Sequence, residues 1–212
     1  MRDKENLTLP VFGIERHRMN TDGVGVTTLV GTYGCPLQCK YCINPCAWDT
    51  QTLEKTKFFT TKELYDVVKI DNLYFQATGG GIVFGGGEPL LHADFYREFR
   101  KMCDSSWRLT VETSLNVSKR QLEKTFNAID DYIVDIKDIN SEIYCAYTGR
   151  ENEQVLQNLE LLLANKSADN ICVRVPKISN YNTREDIAYS VKYLKEHGVK
   201  IIEEFSYIIP KQ

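Results

Sequence analysis

The sequence of 212 residues lacks any apolar run of about 18 residues, the length that a membrane-spanning helix needs. It also lacks a long block of basic residues, and its formal net charge is −3, so neither a membrane nor nucleic acid is indicated as a partner. The first ten residues are charged and contain no apolar core of a signal peptide, which predicts a cytoplasmic protein. With 42% hydrophobic and 26% charged residues, the composition is that of an ordinary globular protein.

Cysteine, in contrast, is abundant and unevenly placed. Of seven cysteines, four lie close together, at Cys35, Cys39, Cys42 and Cys46. Disulfides are rare in a reducing compartment, where clustered cysteines more often indicate metal or redox chemistry. Zinc sites usually consist of two C-x2-C halves that are far apart in the sequence, and this chain has no such pair. The three histidines show no metal-ligand spacing.

The spacing C-x3-C-x2-C is compatible with an iron–sulfur cluster. Three thiolates on one loop can hold three irons of a [4Fe–4S] cube and leave the fourth iron free for a small-molecule ligand. If Cys46 bound the fourth iron, the cube would be closed and only electron transfer would remain. The spacing alone leaves both arrangements open.

Helical and strand-like segments alternate along the chain. Capping signals at Thr60 with Glu63 and at Ser118 with Gln121 mark two helix starts. Further helices are predicted near residues 95–102, 152–165 and 183–197. Six strands are predicted over residues 25–33, 81–89, 108–114, 132–137, 171–176 and 199–205. This alternation predicts an α/β fold with a parallel sheet, a partial (β/α)6 barrel, in one domain over residues 25–212 after an N-terminal segment of residues 1–24.

Polar and glycine residues follow the predicted strands. In barrels of this kind the chemistry lies at the carboxyl ends of the strands. The cysteines follow the first strand, and the later strand ends carry Gly86, Gly87, Glu88, Glu112, Thr113, Asp135, Lys137 and, late in the fifth strand, Arg174. We therefore expect these residues to meet at one rim.

Several motifs resemble those of a known family. The run from Cys35 to Cys42, with Tyr41 before the last cysteine, resembles the signature of radical S-adenosylmethionine (radical SAM) enzymes. The chain is more specifically similar to the glycyl radical enzyme activating enzymes, of which the pyruvate formate-lyase activating enzyme is one. Motifs in family order, between about residues 20 and 205, are TDGVGVTTLVGTYGCPLQCKYCINPCAW, GGGEPLL, VETS, DIKD, TGREN and RVPKISNYN.

The resemblance implies the cofactors and the reaction. A [4Fe–4S] cluster on Cys35, Cys39 and Cys42 would bind the amino and carboxylate groups of S-adenosylmethionine (SAM) at its open iron. One-electron cleavage of SAM then gives a 5′-deoxyadenosyl radical that abstracts hydrogen from a glycine of a large partner enzyme. A flavodoxin- or ferredoxin-like protein is the implied electron donor. Cys46 is interpreted as a bystander, because the family usually has no cysteine there.

The resemblance also implies which residues contact SAM. Those residues are Tyr41, Gly86, Gly87, Glu88, Thr113, Asp135, Lys137 and Arg174. The glycine-rich segment is implied to receive the methionyl amino group, and Asp135 with Lys137 the carboxylate and ribose. For Arg174, contact with the cofactor and a structural pair with Glu112 or Asp135 both stay open. A monovalent cation is implied on Glu112, Thr113 and Asp135.

The sequence departs from the family pattern at several positions. Ile43 replaces a histidine, Thr27 replaces an arginine, and Ile208 stands where a histidine that contacts the cofactor is expected. Ser179-Asn180 replaces Pro-Gly, although asparagine tolerates a positive φ well.

These departures from the family pattern keep open a second function, the radical modification of a ribosomal peptide or small molecule. A four-cysteine electron carrier is a third hypothesis, which the GGGEP and DIK segments disfavour because a carrier needs no cofactor pocket.

Overall fold

The computed structural model describes residues 7–19 and 21–207 and contains one eight-stranded sheet. The strands are β1 (Thr8–Met19), β2 (Val26–Thr32), β3 (Lys57–Thr60), β4 (Gly81–Gly86), β5 (Arg108–Thr113), β6 (Asp131–Asp135), β7 (Ile171–Lys177) and β8 (Ile201–Ser206). Their order across the sheet is β3-β1-β2-β4-β5-β6-β7-β8. Six of these strands, β2, β4, β5, β6, β7 and β8, form a continuous parallel sheet in this order. This arrangement confirms the predicted partial barrel.

Two strands were not predicted from the sequence. β1 lies within the predicted N-terminal segment and pairs antiparallel with β2, and β3 pairs antiparallel with β1. The second half of β1, from Ile14 onward, is mostly exposed and charged, so it lacks the apolar alternation that marks a half-buried strand. The domain boundary at residue 24 itself stays a prediction.

Eight α-helices connect and cover the strands. They are α1 (Thr50–Lys55), α2 (Thr61–Val68), α3 (Asn72–Thr78), α4 (Ala93–Arg100), α5 (Lys119–Glu123), α6 (Ser141–Thr148), α7 (Glu153–Asn165) and α8 (Arg184–Glu196). Both predicted capping boxes are confirmed, at the starts of α2 and α5. α1, α3 and α6 were not predicted. None of the described helices is long and apolar enough to cross a membrane.

The two faces of the sheet differ in polarity. On β5, Leu109 and Val111 are fully buried against the helices, whereas Glu112 points to the opposite, inner face because successive strand residues alternate. The helix side is packed with aromatic rings, such as Phe84 against Tyr96 at 4.7 Å and against Phe99 at 5.8 Å between centroids. Each such buried side chain stabilises the fold by about 1.5–3 kcal/mol. The apolar core therefore lies outside the barrel, and polar groups are left for its interior.

Candidate functional site

A cavity of about 390 Å³ lies at the carboxyl ends of the parallel strands. Its lining includes all the predicted site residues except Glu88, namely Cys35, Cys39, Tyr41, Cys42, Gly86, Gly87, Glu112, Thr113, Asp135, Lys137 and Arg174. A larger groove of about 840 Å³ lies between α8 and strands β7 and β8 and is lined by none of them. The side chains that were expected to meet at one rim therefore line one cavity, with the exception of Glu88.

The cysteine loop rests on the end of α6. The backbone N–H groups of Gln38 and Lys40 donate to the carbonyl oxygens of Thr148 and Tyr147, both at 3.2 Å. These carbonyls belong to the last turn of α6, where they have no partner inside the helix. Gly149 follows with φ +76°, a left-handed conformation that ends the helix and suits glycine. The unpredicted helix α6 therefore fixes the position of the cysteine loop.

Three thiols of this loop face the cavity. Cys35, Cys39 and Cys42 line it, whereas Cys46 lies on a 3-10 turn (Pro45–Ala47) and is not among the lining residues. Burial raises the pKa of Cys35 to about 12 and also raises the pKa of Cys39. Because iron binds the thiolate, the charge of the metal must offset this effect of burial.

Within the described part of the chain, no three His, Cys, Asp or Glu side chains are arranged to hold a single metal ion. A cube, however, presents a separate iron to each thiolate, so its cysteines need not converge on one point. Three thiols on one cavity wall are the donor set that such a cluster uses. The residues present fit the cluster.

The glycine-rich loop after β4 packs against the start of the cysteine loop. A Cβ atom on Gly87 would lie 2.3 Å from the carbonyl oxygen of Gly34 and 2.6 Å from that of Thr32. Gly86 has φ +87°, a conformation that other residues rarely adopt. The Gly87 N–H donates to the Thr32 carbonyl at 3.0 Å. Glycine at both positions thus lets the two loops that line the cavity approach each other closely.

Glu88 lies behind the cavity wall. Its carboxylate is buried and accepts hydrogen bonds from Thr113 Oγ1 at 2.7 Å, Ser114 Oγ at 2.6 Å, Ser114 N at 2.9 Å and Leu90 N at 3.1 Å. Burial raises the pKa of Glu88, and the hydrogen bonds from Ser114 and Thr113 oppose that rise in part. The side chain ties the glycine-rich loop to the end of β5. Its predicted contact with the cofactor stays a prediction.

Asp135 and Lys137 form an ion pair at the end of β6. Lys137 Nζ donates to Asp135 Oδ2 at 3.0 Å and to the Tyr207 hydroxyl at 2.6 Å. Burial lowers the pKa of Lys137, but Asp135 and Tyr207 outweigh burial and hold it well above the ordinary value. The other carboxylate oxygen, Asp135 Oδ1, is buried and has no partner among the described residues. Buried polar atoms normally have a partner, so this oxygen indicates room for a donor or a cation in the cavity.

Arg174 is held on the inner face of β7. It donates to Glu112 Oε1 at 2.8 Å, to Glu203 Oε2 at 3.1 Å and to the carbonyl of Thr21 at 3.0 Å. The structural pair with Glu112 is thus present. Burial raises the pKa of Glu112, an effect that Arg174 partly offsets. The three predicted cation ligands, Glu112, Thr113 and Asp135, all line the cavity, but one oxygen of Glu112 already faces Arg174.

Sequence reasoning missed two tyrosines of this cavity, Tyr147 and Tyr207. Tyr147 lies in the last turn of the unpredicted helix α6, and its hydroxyl is buried without a partner in the described residues. Tyr207 directly follows β8, and the only sequence signal for it is a tyrosine at a strand end.

Two of the predicted departures from the family pattern fall near this site. Ile208 lies outside the described residues. Asn180 adopts φ +67°, as its place in the Ser179-Asn180 replacement predicts.

Comparisons with known proteins find relatives in both sequence and fold. The family model of the radical SAM superfamily matches residues 29–188. The 4-hydroxyphenylacetate decarboxylase activating enzyme of Clostridioides difficile is 26% identical over 94% of this chain and 82% of its own. The (2S)-3-sulfopropanediol dehydratase activating enzyme of Klebsiella oxytoca is 33% identical over 81% of this chain and 72% of its own. Streptococcus suis SuiB bound to its precursor peptide SuiA is similar in fold, with a TM-score of 0.64 at 15% identity over 84% of this chain and 38% of that one.

Proposed function

Because the chain belongs to the radical SAM superfamily and, within it, to the glycyl radical enzyme activating enzymes, we propose that it generates a radical on a glycine of a partner glycyl radical enzyme. The observation that carries this proposal is the single cavity that joins three cysteine thiols to an acidic and basic pair at the end of β6. The activating enzymes named in the comparison support the substrate class.

Cys35, Cys39 and Cys42 would hold three irons of the cluster, with Cys46 left as a free thiol outside the cavity. When bound, the cluster and SAM supply a 5′-deoxyadenosyl radical by one-electron cleavage of the sulfonium. A flavodoxin- or ferredoxin-like protein would supply the electron. We also propose a cytoplasmic location, where thiols stay reduced.

The rest of the cavity would bind and orient SAM. Gly86 and Gly87 present backbone carbonyls next to the cysteine loop, and Tyr41 adds a ring from within that loop. Lys137 supplies a positive charge for the methionyl carboxylate, and Asp135 Oδ1 accepts from a hydroxyl or lies beside a monovalent cation with Thr113 and Glu112. Glu88 acts indirectly, through Thr113 and Ser114. Arg174 pairs with Glu112 and Glu203 and so neutralises part of the negative charge at this end of the sheet.

A glycine in a loop suits the open side of this barrel. A glycine Cα radical is stabilised by the flanking amides, and the residue has no side chain to block access to its hydrogen. Excluding water and fixing the target hydrogen favour generation of a reactive radical only when substrate is present. The electron-carrier alternative is disfavoured because Cys46 does not line the cavity and a carrier needs no cavity of this kind.

Hydrogen transfer tests the proposal directly. The reduced, iron-reconstituted enzyme is mixed with SAM and with the partner's glycine-loop peptide, deuterated at the glycine Cα. We expect deuterium in 5′-deoxyadenosine, and a persistent glycyl doublet by electron paramagnetic resonance when the whole partner enzyme is used. Deuterium transfer from a side-chain position of a small peptide, without a stored radical, would overturn the activating role in favour of peptide modification.

A further inference from the structure

Tyr207 connects the last strand to the middle of the sheet. Its backbone N–H donates to the Lys177 carbonyl at 3.2 Å, which fixes the end of β8 beside the end of β7. Its hydroxyl reaches across the cavity and accepts from Lys137 Nζ at 2.6 Å. Tyr207, which follows β8, is therefore hydrogen-bonded to Lys137, which follows β6, two strands away in the sheet.

The bond determines where the Lys137 ammonium points. An ammonium has three N–H donors, and here two of them go to Asp135 Oδ2 and to Tyr207. The remaining donor is left for a group in the cavity. A free lysine side chain samples many rotamers, so holding it in advance lowers the entropy that is lost when the cofactor binds.

The Tyr207 ring is itself held in place. It stacks on Tyr147, with centroids 6.1 Å apart and an interplanar angle of 25°, and Phe205 meets it edge-on at 5.2 Å. Tyr147 in turn meets Tyr41 of the cysteine loop edge-on at 6.0 Å. Burial raises the pKa of Tyr207 to about 12, although Lys137 opposes that rise, so the phenol is neutral near pH 7 and can accept from the ammonium.

We propose that Tyr207 is a positioning residue that aligns the Lys137 ammonium for SAM, with the rings of Tyr147 and Phe205 keeping it in place. The inference rests on the proposed role of Lys137 in the cofactor cavity. Its specific content is that the hydroxyl of Tyr207 acts on SAM binding through Lys137 and not through the fold.

A double-mutant cycle on the iron-reconstituted enzyme tests this inference, with SAM affinity measured by calorimetry. Tyr207→Phe keeps the ring and removes the hydroxyl, and should weaken SAM binding about tenfold, as the loss of one charge-assisted hydrogen bond does. Lys137→Met should weaken it at least as much. In the double variant, Tyr207→Phe should have no further effect, because its target is gone.

Tyr181→Phe is the matched control. Its ring belongs to the same aromatic contacts, at 5.1 Å from Tyr147, but it does not line the cavity. It should leave both SAM affinity and iron content unchanged. Iron content and the thermal midpoint are measured for every variant, and Lys137→Gln replaces Lys137→Met if the latter loses either.

The outcomes separate this inference from the proposed function. If Lys137→Met leaves SAM affinity unchanged, the assignment of Lys137 to the cofactor is wrong, and with it the premise. If Lys137→Met weakens binding and Tyr207→Phe does not, only the inference fails. An equal loss from Tyr207→Phe with and without Lys137 also overturns it, because Tyr207 would then act independently of the ammonium.

Discussion

The backbone N–H of Gln38 donates to the carbonyl oxygen of Thr148 at 3.2 Å, so the cysteine loop is supported by the last turn of α6. Residues 33–44 form no helix or strand, so contacts with neighbouring elements have to hold the cysteines in place. The geometry of the cluster site thus depends on how α6 ends.

Gly149 is the residue that ends α6, and its φ of +76° can be tested. Gly149→Ala should cost about 1–2 kcal/mol of stability through left-handed strain, and Gly149→Asn less. It should also lower iron content after reconstitution, because the carbonyls that hold the cysteine loop shift. Gly79→Ala is the control, since Gly79 ends α3 with φ +69° and open space around its Cβ. Equal iron loss in both variants would show that α6 has no special role.

Iron analysis tests the three-cysteine assignment. Cys35→Ala, Cys39→Ala and Cys42→Ala should each abolish cluster formation, whereas Cys46→Ala should retain about four irons per chain, since three thiolates are enough to hold the cube. Absorption spectra and iron content after anaerobic reconstitution decide it. Loss of the cluster in Cys46→Ala, together with a wild-type spectrum that added SAM leaves unchanged, would favour the electron carrier.

Much of the fold follows from the sequence, because parallel strands buried on one face carry strong apolar signals. The six strands and five helices that were predicted all exist, with shifted ends. α6 was missed because Cys145, Tyr147 and Thr148 give no clear apolar period, and β1 because its outer half is charged. Both elements are specified by partners distant in sequence, which local patterns cannot show.

The sequence predicts which residues line the cavity but not which of them form hydrogen bonds with one another. The residues at the strand ends do line one cavity. That Glu88 faces Thr113 and Ser114, or that Lys137 meets Tyr207, depends on the register between strands and on the last few residues of each. Such contacts carry no signature in the sequence.

A substitution at Glu88 distinguishes two roles for its carboxylate. Glu88 either links the glycine-rich loop to the end of β5 or contacts SAM directly. Glu88→Gln places an amide N–H₂ among four donors, so at least one of them loses its acceptor. The free energy of unfolding should fall by about 1–3 kcal/mol. Anaerobic denaturant unfolding measures it, with Glu63→Gln of the exposed capping box at α2 as control. Unchanged stability with weakened SAM binding would instead make Glu88 a direct cofactor ligand.

The environment of Asp71 predicts how the free energy of unfolding depends on pH. Its buried carboxylate accepts from Arg16 Nε at 2.9 Å and from Thr28 Oγ1 at 2.8 Å. Burial raises the pKa of Asp71, but the hydrogen bonds from Arg16 and Thr28 outweigh burial and lower it. A lowered folded-state pKa adds stability above the unfolded value of about 3.9 that is lost as the pH falls through the folded value.

Asp71→Asn should therefore destabilise the protein at pH 6, and the difference from the wild type should shrink as the pH falls towards 3. Denaturant unfolding of both proteins across this range provides the comparison. Glu151→Gln is the control here, because Glu151 is exposed, whereas Glu63 accepts from Thr60 in the capping box, and these hydrogen bonds lower the pKa of Glu63 as well. A difference between wild type and Asp71→Asn that is constant with pH would mean that the Asp71 carboxylate keeps an ordinary pKa.

Asp135 Oδ1 provides the last prediction, because this buried oxygen has no partner among the described residues and either a donor from SAM or a cation would supply one. Thr113 and Glu112 line the same cavity, and oxygen ligands suit a hard cation. If a monovalent cation binds there, SAM affinity should rise when potassium or sodium chloride replaces choline chloride at constant ionic strength. Asp135→Asn should weaken SAM binding by about fivefold or more and abolish this salt preference, since the amide loses the charge that holds the cation. Equal wild-type affinity in all three salts, with Asp135→Asn still weakened, would mean that no cation is bound and that Asp135 acts on SAM directly or through its ion pair with Lys137.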